Sequence, residues 1–170
     1  MKVLFVRHAL AMDKKKFAQT KKKDSERPLT AKGLKDINRV GKILKKIIVN
    51  EVDKIYSSPY LRALQTAEVL GKIYKREVET VDFLSPEADP GEMISFIKRL
   101  PDDCVLFMVG HNPSMGNLIG RLVTNKNIPI VSLKKAGVAI VDVEKKGSTI
   151  VKAELIWVLQ PDVLIRLYFG

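Results

Sequence analysis

Apolar residues follow two rhythms along this chain. Val3-Leu4-Phe5-Val6 and Val105-Leu106-Phe107-Met108-Val109 are short unbroken runs, the pattern of strands buried on both faces. Elsewhere the spacing lengthens to that of amphipathic helices. Thr30 is placed to cap a helix running to about Val49, with Leu34, Ile37, Leu44 and Ile48 on one face. Asp53 to Ser57 reads as a second strand. Ser58-Pro59 then supplies an N-cap and a first-turn proline for a helix to about Tyr74, with Leu61, Leu64 and Leu70 turned inward. A third strand is expected over 78–81. Asp89-Pro90 starts a short helix carrying Met93, Ile94, Ile97 and Leu100, with Asp89 and Glu92 as a capping box. Asn112-Pro113 reads as the start of another helix. Two late segments, about 139–143 and 150–157, flank Lys145-Lys146-Gly147 as a hairpin, and the chain reads as ending at Tyr168-Phe169 without a tail. This alternation predicts one domain over residues 1–170, a three-layer α/β/α sandwich with a mostly parallel central sheet and an antiparallel edge.

Composition narrows what such a domain does. A chain of 170 residues buries one substantial core and is too short for two. No apolar run reaches membrane-spanning length and no secretory leader is visible, so a soluble, cytoplasmic protein with no membrane partner is expected. The single cysteine, Cys104, excludes an internal disulfide and a cysteine-rich metal site. The net charge of +11 comes mainly from lysine clusters at 14–16, 21–23, 45–46, 134–135 and 145–146. None is interleaved with aromatics and no zinc-finger, homeodomain or RNP signature is present, which speaks against nucleic acid. A solvated, lysine-rich surface of this sign still draws in anionic substrates.

Chemistry gathers where strands end. In an open α/β sheet, ligands bind beyond the carboxyl ends of the strands. The chain's two histidines both stand there: Val6 leads into Arg7-His8, and Val109 into Gly110-His111. The strand ending at Ser57 is followed by Arg62. If these three strands are neighbours, Arg7, His8, Arg62 and His111 converge, with two helix starts aimed at the same space. Two guanidiniums and two imidazoles form a trap for a dianionic phosphoryl group.

The motifs carrying these residues have a family likeness. VRHA at 6–9, SSPYLRALQTAE at 57–68 and GHNP at 110–113 resemble the histidine phosphatase, or phosphoglycerate mutase-like, superfamily. DSERPLTAKG at 24–33 and the compact length are similar to its SixA-type phosphohistidine phosphatase branch. Ala9 stands where the superfamily usually has glycine. The resemblance implies a metal-independent phosphatase without cofactors, working through a covalent phosphohistidine. His8 would be the nucleophile, with Nδ1–H held by a backbone carbonyl; Arg7 and Arg62 would clamp the phosphoryl oxygens, and His111 would donate to them. Arg27 has two readings, a contact to phosphate or substrate rim and a surface arginine tying down the loop before Thr30. Ser58 and Asn112 are read as helix caps whose helix ends help bind phosphate. Glu87 and Asp89 are the candidates for a general acid, although the cap accounts for Asp89. A weak acid loop favours a phosphoramidate, whose imidazole leaving group is far less basic than an alkoxide. The expected substrate is a phosphohistidine protein. Alternatives are a small-molecule or phosphoserine/phosphothreonine phosphatase on the same scaffold, and a non-catalytic basic module binding phosphate or nucleic acid.

Overall fold

In a computed structural model, which describes residues 1–48 and 52–169, the first apolar run lies near the middle of a six-stranded sheet. β1 (Lys2–Arg7) pairs parallel with β4 (Val105–Gly110) and antiparallel with β5 (Val138–Lys146). Beyond β4 lie β2 (Lys54–Ser57) and β3 (Val78–Thr80), both parallel; beyond β5 lies β6 (Thr149–Leu159), antiparallel. The order is β3-β2-β4-β1-β5-β6, the mostly parallel sheet with an antiparallel edge that the alternation predicts.

Both runs are buried on both faces because helices cover the sheet on each side. Leu4, Val6, Phe107 and Val109 pack under α2 (Ala31–Ile47) and α3 (Leu61–Tyr74). The alternate residues Val3, Phe5, Leu106 and Met108 pack under α4 (Pro90–Arg99) and α5 (Ser114–Thr124). Each fully buried side chain of this size stabilises the fold by roughly 1.5–3 kcal/mol. Two further helices flank these layers, α1 (Lys14–Ala18) and α6 (Pro161–Phe169). The sequence pattern reveals neither. In α6, among the described side chains, only Leu164 is buried in the core, and Leu167 is 77% exposed. Among the described residues no helix is long and apolar enough to cross a membrane.

Several expected details come out differently. The expected helix end at Val49 lies outside the described residues, and α2 is described to Ile47. Leu34 is 40% exposed, because α2 turns its glycines inward instead. A Cβ on Gly33 would lie 2.2 Å from the Leu10 carbonyl oxygen, so that contact sets the helix rotation. On α3 the fully buried face is Arg62, Ala63, Thr66, Ala67 and Leu70, leaving Leu61 and Leu64 half-buried. That helix starts at Leu61 with Tyr60 at its N-cap, and α5 starts at Ser114 behind a cis Asn112-Pro113 peptide. Neither Ser58 nor Asn112 is therefore a cap. Asp89 does cap α4, accepting from the Gly91 N–H; it bonds the second helical residue, so the cap is not the expected box with Glu92. The hairpin strands run longer than expected, with irregularities between Ile140 and Val141 and between Glu144 and Lys145 that break the two-residue period.

Candidate active site

The strand order brings the motifs together. β2, β4 and β1 are adjacent, with Arg7 opposite Gly110 and Ser57 opposite Val109. Just past the ladder, the His8 N–H donates to the Gly110 carbonyl at 2.9 Å and the Ser58 N–H to that of Val109 at 2.9 Å. The imidazoles of His8 and His111 consequently face each other with ring centroids 5.0 Å apart.

Each side chain is held from behind. His8 Nδ1 lies 2.8 Å from the Ala9 carbonyl oxygen. A carbonyl only accepts, so Nδ1 carries the proton and the Nε2 lone pair is left for chemistry. The Ala9 N–H donates to Thr66 Oγ1 at 3.0 Å, and that hydroxyl donates to the Arg62 carbonyl at 2.7 Å, linking the His8 turn to α3. Arg7 donates to the Leu133 carbonyl at 2.7 Å. Arg62 donates to the Asp24 carbonyl at 2.9 Å, pairs with the Asp24 carboxylate at 3.2 Å, and lies 4.8 Å from the Tyr60 ring centre. Behind His111, Ser58 Oγ is 2.9 Å from Nε2 and accepts from the Tyr60 N–H at 3.3 Å.

Arg7, His8, Arg27, Arg62, His111 and Asn112 line one cleft of about 600 Å³. Ser58 does not; it is fully buried, with its hydroxyl against His111. Glu87 is also off the cleft wall, where Pro86 stands instead; its exposed carboxylate accepts from the Tyr60 hydroxyl at 3.3 Å. Asn112 donates from its side-chain amide to the Leu133 carbonyl at 3.0 Å. Both readings of Arg27 meet in one side chain, which lines the cleft and ties down its loop through Asp24 and the Met12 carbonyl, each at 2.8 Å.

The electrostatics follow from burial among cations. Burial, followed by repulsion from Arg62, Arg7 and Lys135, overrides the Ala9 bond and pushes His8 down to about 3. Burial, then His8 and Arg62, pushes His111 to about 3 as well, so both imidazoles are neutral near pH 7. Burial pulls the Asp24 carboxyl upward, but Arg27 and Arg62 together hold it below the ordinary aspartate range. Lys135, on the cleft wall, is lowered by burial and then by the neighbouring arginines.

Asp24, Tyr60, Thr66 and Lys135 are the residues that sequence reasoning left unassigned. Asp24 and Arg27 stand three apart, a spacing compatible with an ion pair; nothing local separates Lys135 from its surface neighbour Lys134. Among the described residues no group of three His, Cys, Asp or Glu side chains is arranged to hold a metal ion.

A sandwich of this topology, with two neutral imidazoles and two guanidiniums lining one cleft beyond its strand ends, has the form of an α/β phosphoryl-transfer site. Residues 3–93 match the histidine phosphatase superfamily (branch 1), and the chain belongs to that family. An uncharacterised protein of Picosynechococcus sp. (strain ATCC 27264 / PCC 7002 / PR-6) is 30% identical over 141 residues, covering 81% of this chain and 82% of that one. The phosphohistidine phosphatase SixA of Escherichia coli (strain K12) is 28% identical over 152 residues, covering 87% and 89%. The solved structure of the protein histidine phosphatase SixA complexed with tungstate superposes with a TM-score of 0.82 at 25% identity, covering 96% of this chain and 99% of that one.

Proposed function

We propose that this histidine phosphatase removes phosphoryl groups from phosphohistidine, and that His8 carries the covalent intermediate. One observation carries the assignment of His8: its tautomer is locked by the Ala9 carbonyl, which leaves Nε2 free at a cleft walled by Arg7 and Arg62. In the first step that lone pair attacks phosphorus while the bond to the substrate nitrogen breaks. The bonding pair leaves with the substrate imidazole, which takes a proton from solvent. In the second step water attacks the phosphoryl group on His8, the new P–N bond breaks, and inorganic phosphate leaves with His8 neutral again. Arg7 and Arg62 balance the charge on the phosphoryl oxygens. Ser58 Oγ lies 2.9 Å from His111 Nε2; when that hydroxyl donates, the proton of His111 sits on Nδ1 and can be donated to a phosphoryl oxygen.

Phosphohistidine suits this cleft better than an alkyl phosphate. Glu87 is off the wall, and Asp13, which is on it, caps α1, with Oδ1 accepting from the Lys16 N–H at 3.0 Å. A leaving imidazole needs far less proton donation than an alkoxide. The SixA relatives support the same substrate by name. We place the activity in the cytoplasm, in keeping with a single free cysteine, Cys104.

Label transfer tests the assignment. Wild-type enzyme quenched during turnover should carry label on His8, stable to base and lost in acid, and His8→Ala should lose essentially all turnover. His111→Ala should still accept label, slower by about 100- to 1000-fold. Label on His111 in the wild type, or normal turnover by His8→Ala, would refute the role of His8. Rates across phosphohistidine peptide, p-nitrophenyl phosphate, phosphoserine and sugar phosphates test the substrate class.

A further inference from the structure

The cleft is larger than a phosphoryl group, and the four residues assigned to that group fill only part of its wall. Lys14 and Lys135 also line it. Lys14 belongs to a lip, residues 13–27, that contains seven basic and three acidic residues. All three acids are already engaged: Asp13 accepts from the Lys16 N–H, Glu26 from the Lys23 N–H, and Asp24 pairs with Arg27 and Arg62. Lysines 14–16 and 21–23 are exposed and make no ion pair among the described residues. The lip therefore carries a net charge of +4, seven basic residues against three acidic ones, beside the cleft.

This field is fixed relative to the chemistry. Arg62 grips the lip at Asp24, and the lip's own Arg27 donates to the Met12 carbonyl just outside it. Lys135 sits on a strap bonded to the catalytic turn on both sides: Arg7 donates to Leu133, and the Ala136 N–H donates to the Arg7 carbonyl at 3.1 Å. Ala136 adopts a left-handed φ of 63°, holding the strap in a tight bend. A surface tied this closely to the clamp presents its cations at a set offset from a phosphoryl group bound there.

We infer that the lip and Lys135 form a docking surface for a protein substrate that carries acidic side chains around its phosphohistidine. The inference rests on the phosphohistidine reading above and adds the character of the partner. A protein face is favoured over nucleic acid because the lip carries no stacking aromatic; its one aromatic, Phe17, is buried.

Kinetics with phosphohistidine peptides flanked by aspartate, serine or lysine would test this. At about 50 mM salt, kcat/KM should favour the aspartate-flanked peptide by about tenfold over the serine-flanked one, as several exposed ion pairs acting together allow, mainly through KM. Raising the salt to about 0.5 M should abolish the preference. Lys15→Gln/Lys16→Gln/Lys22→Gln should abolish it at low salt. Lys42→Gln/Lys72→Gln/Lys126→Gln removes the same charge away from the cleft and should retain it. Absence of a preference in the wild type, or an equal loss in both triple variants, would overturn the docking surface. So would inhibition by a generic oligonucleotide at lower concentration than by the aspartate-flanked peptide. If no phosphohistidine peptide is turned over while p-nitrophenyl phosphate is, the functional reading fails, and the partner with it.

Discussion

Acidification from pH 7 to 4.5 should remove a large part of this protein's stability, through its two histidines. In the folded protein both stay neutral to about 3, because they are buried beside Arg7 and Arg62. In the unfolded chain each takes up a proton near its ordinary value of about 6.5. The unfolded state thus binds more protons between these values. Stability is full above about 6.5 and falls as pH drops through that window. At pH 4.5 unfolded histidine lies about two units below its pKa, so each residue lowers folding stability by ~2.7 kcal/mol. Together that is ~5 kcal/mol, against a typical total of about 5–15 kcal/mol for a domain. Asp24 and Asp162, held below the usual aspartate range by Arg27 and Lys134 respectively, lose their contributions only at lower pH. Urea unfolding at pH 7, 5.5 and 4.5 measures the slope, and the imidazole resonances of a chain with only two histidines report each site directly. Tungstate, by balancing the two arginines, should move both titrations upward. Unfolding free energies that stay flat from pH 7 to 4.5, or imidazoles that titrate near 6.5 without ligand, would refute the argument.

Ser58→Ala should lower kcat about tenfold with little change in KM, because it frees His111 to rotate while leaving the arginine clamp in place; steady-state kinetics on p-nitrophenyl phosphate checks this. A KM effect without a kcat effect would place Ser58 on the substrate side after all. Gly120→Ala should destabilise by roughly 3 kcal/mol, since its Cβ would lie 1.7 Å from the Ile128 carbonyl oxygen; urea denaturation reads the loss.

Most of the layer order was legible in the one-dimensional pattern. Two short, wholly apolar runs rich in branched and aromatic residues read as strands covered on both faces, and the helical spacing between them supplies the covers. The same logic anticipated that Arg7, His8 and His111 meet at the open end of the sheet, since residues leaving a buried strand there emerge beyond its last hydrogen bonds; Arg62 joins them from α3. Rotation about each helix axis was not legible. Arg62 and Thr66 displaced Leu61 and Leu64 from the inner face of α3 because the site needs them there, and Gly33 displaced Leu34 because only a glycine fits beneath Leu10. Ser58 looked like a cap, since Ser-Pro is a good local helix start; a hydrogen bond to a residue 53 positions away claimed it instead.

What the sequence alone determined is therefore local and periodic: which segments are strand or helix, which ends carry chemistry, and the kind of anion that chemistry suits. The tertiary structure decided the rest. Asp24 meets Arg62 across 38 positions, and Lys135 reaches the cleft while Lys134 pairs with Asp162 on the surface at 2.7 Å. Such contacts depend on the order of strands in the sheet and on the bend of a single strap. Adjacent lysines in a run carry no signal of which one the bend will turn inward.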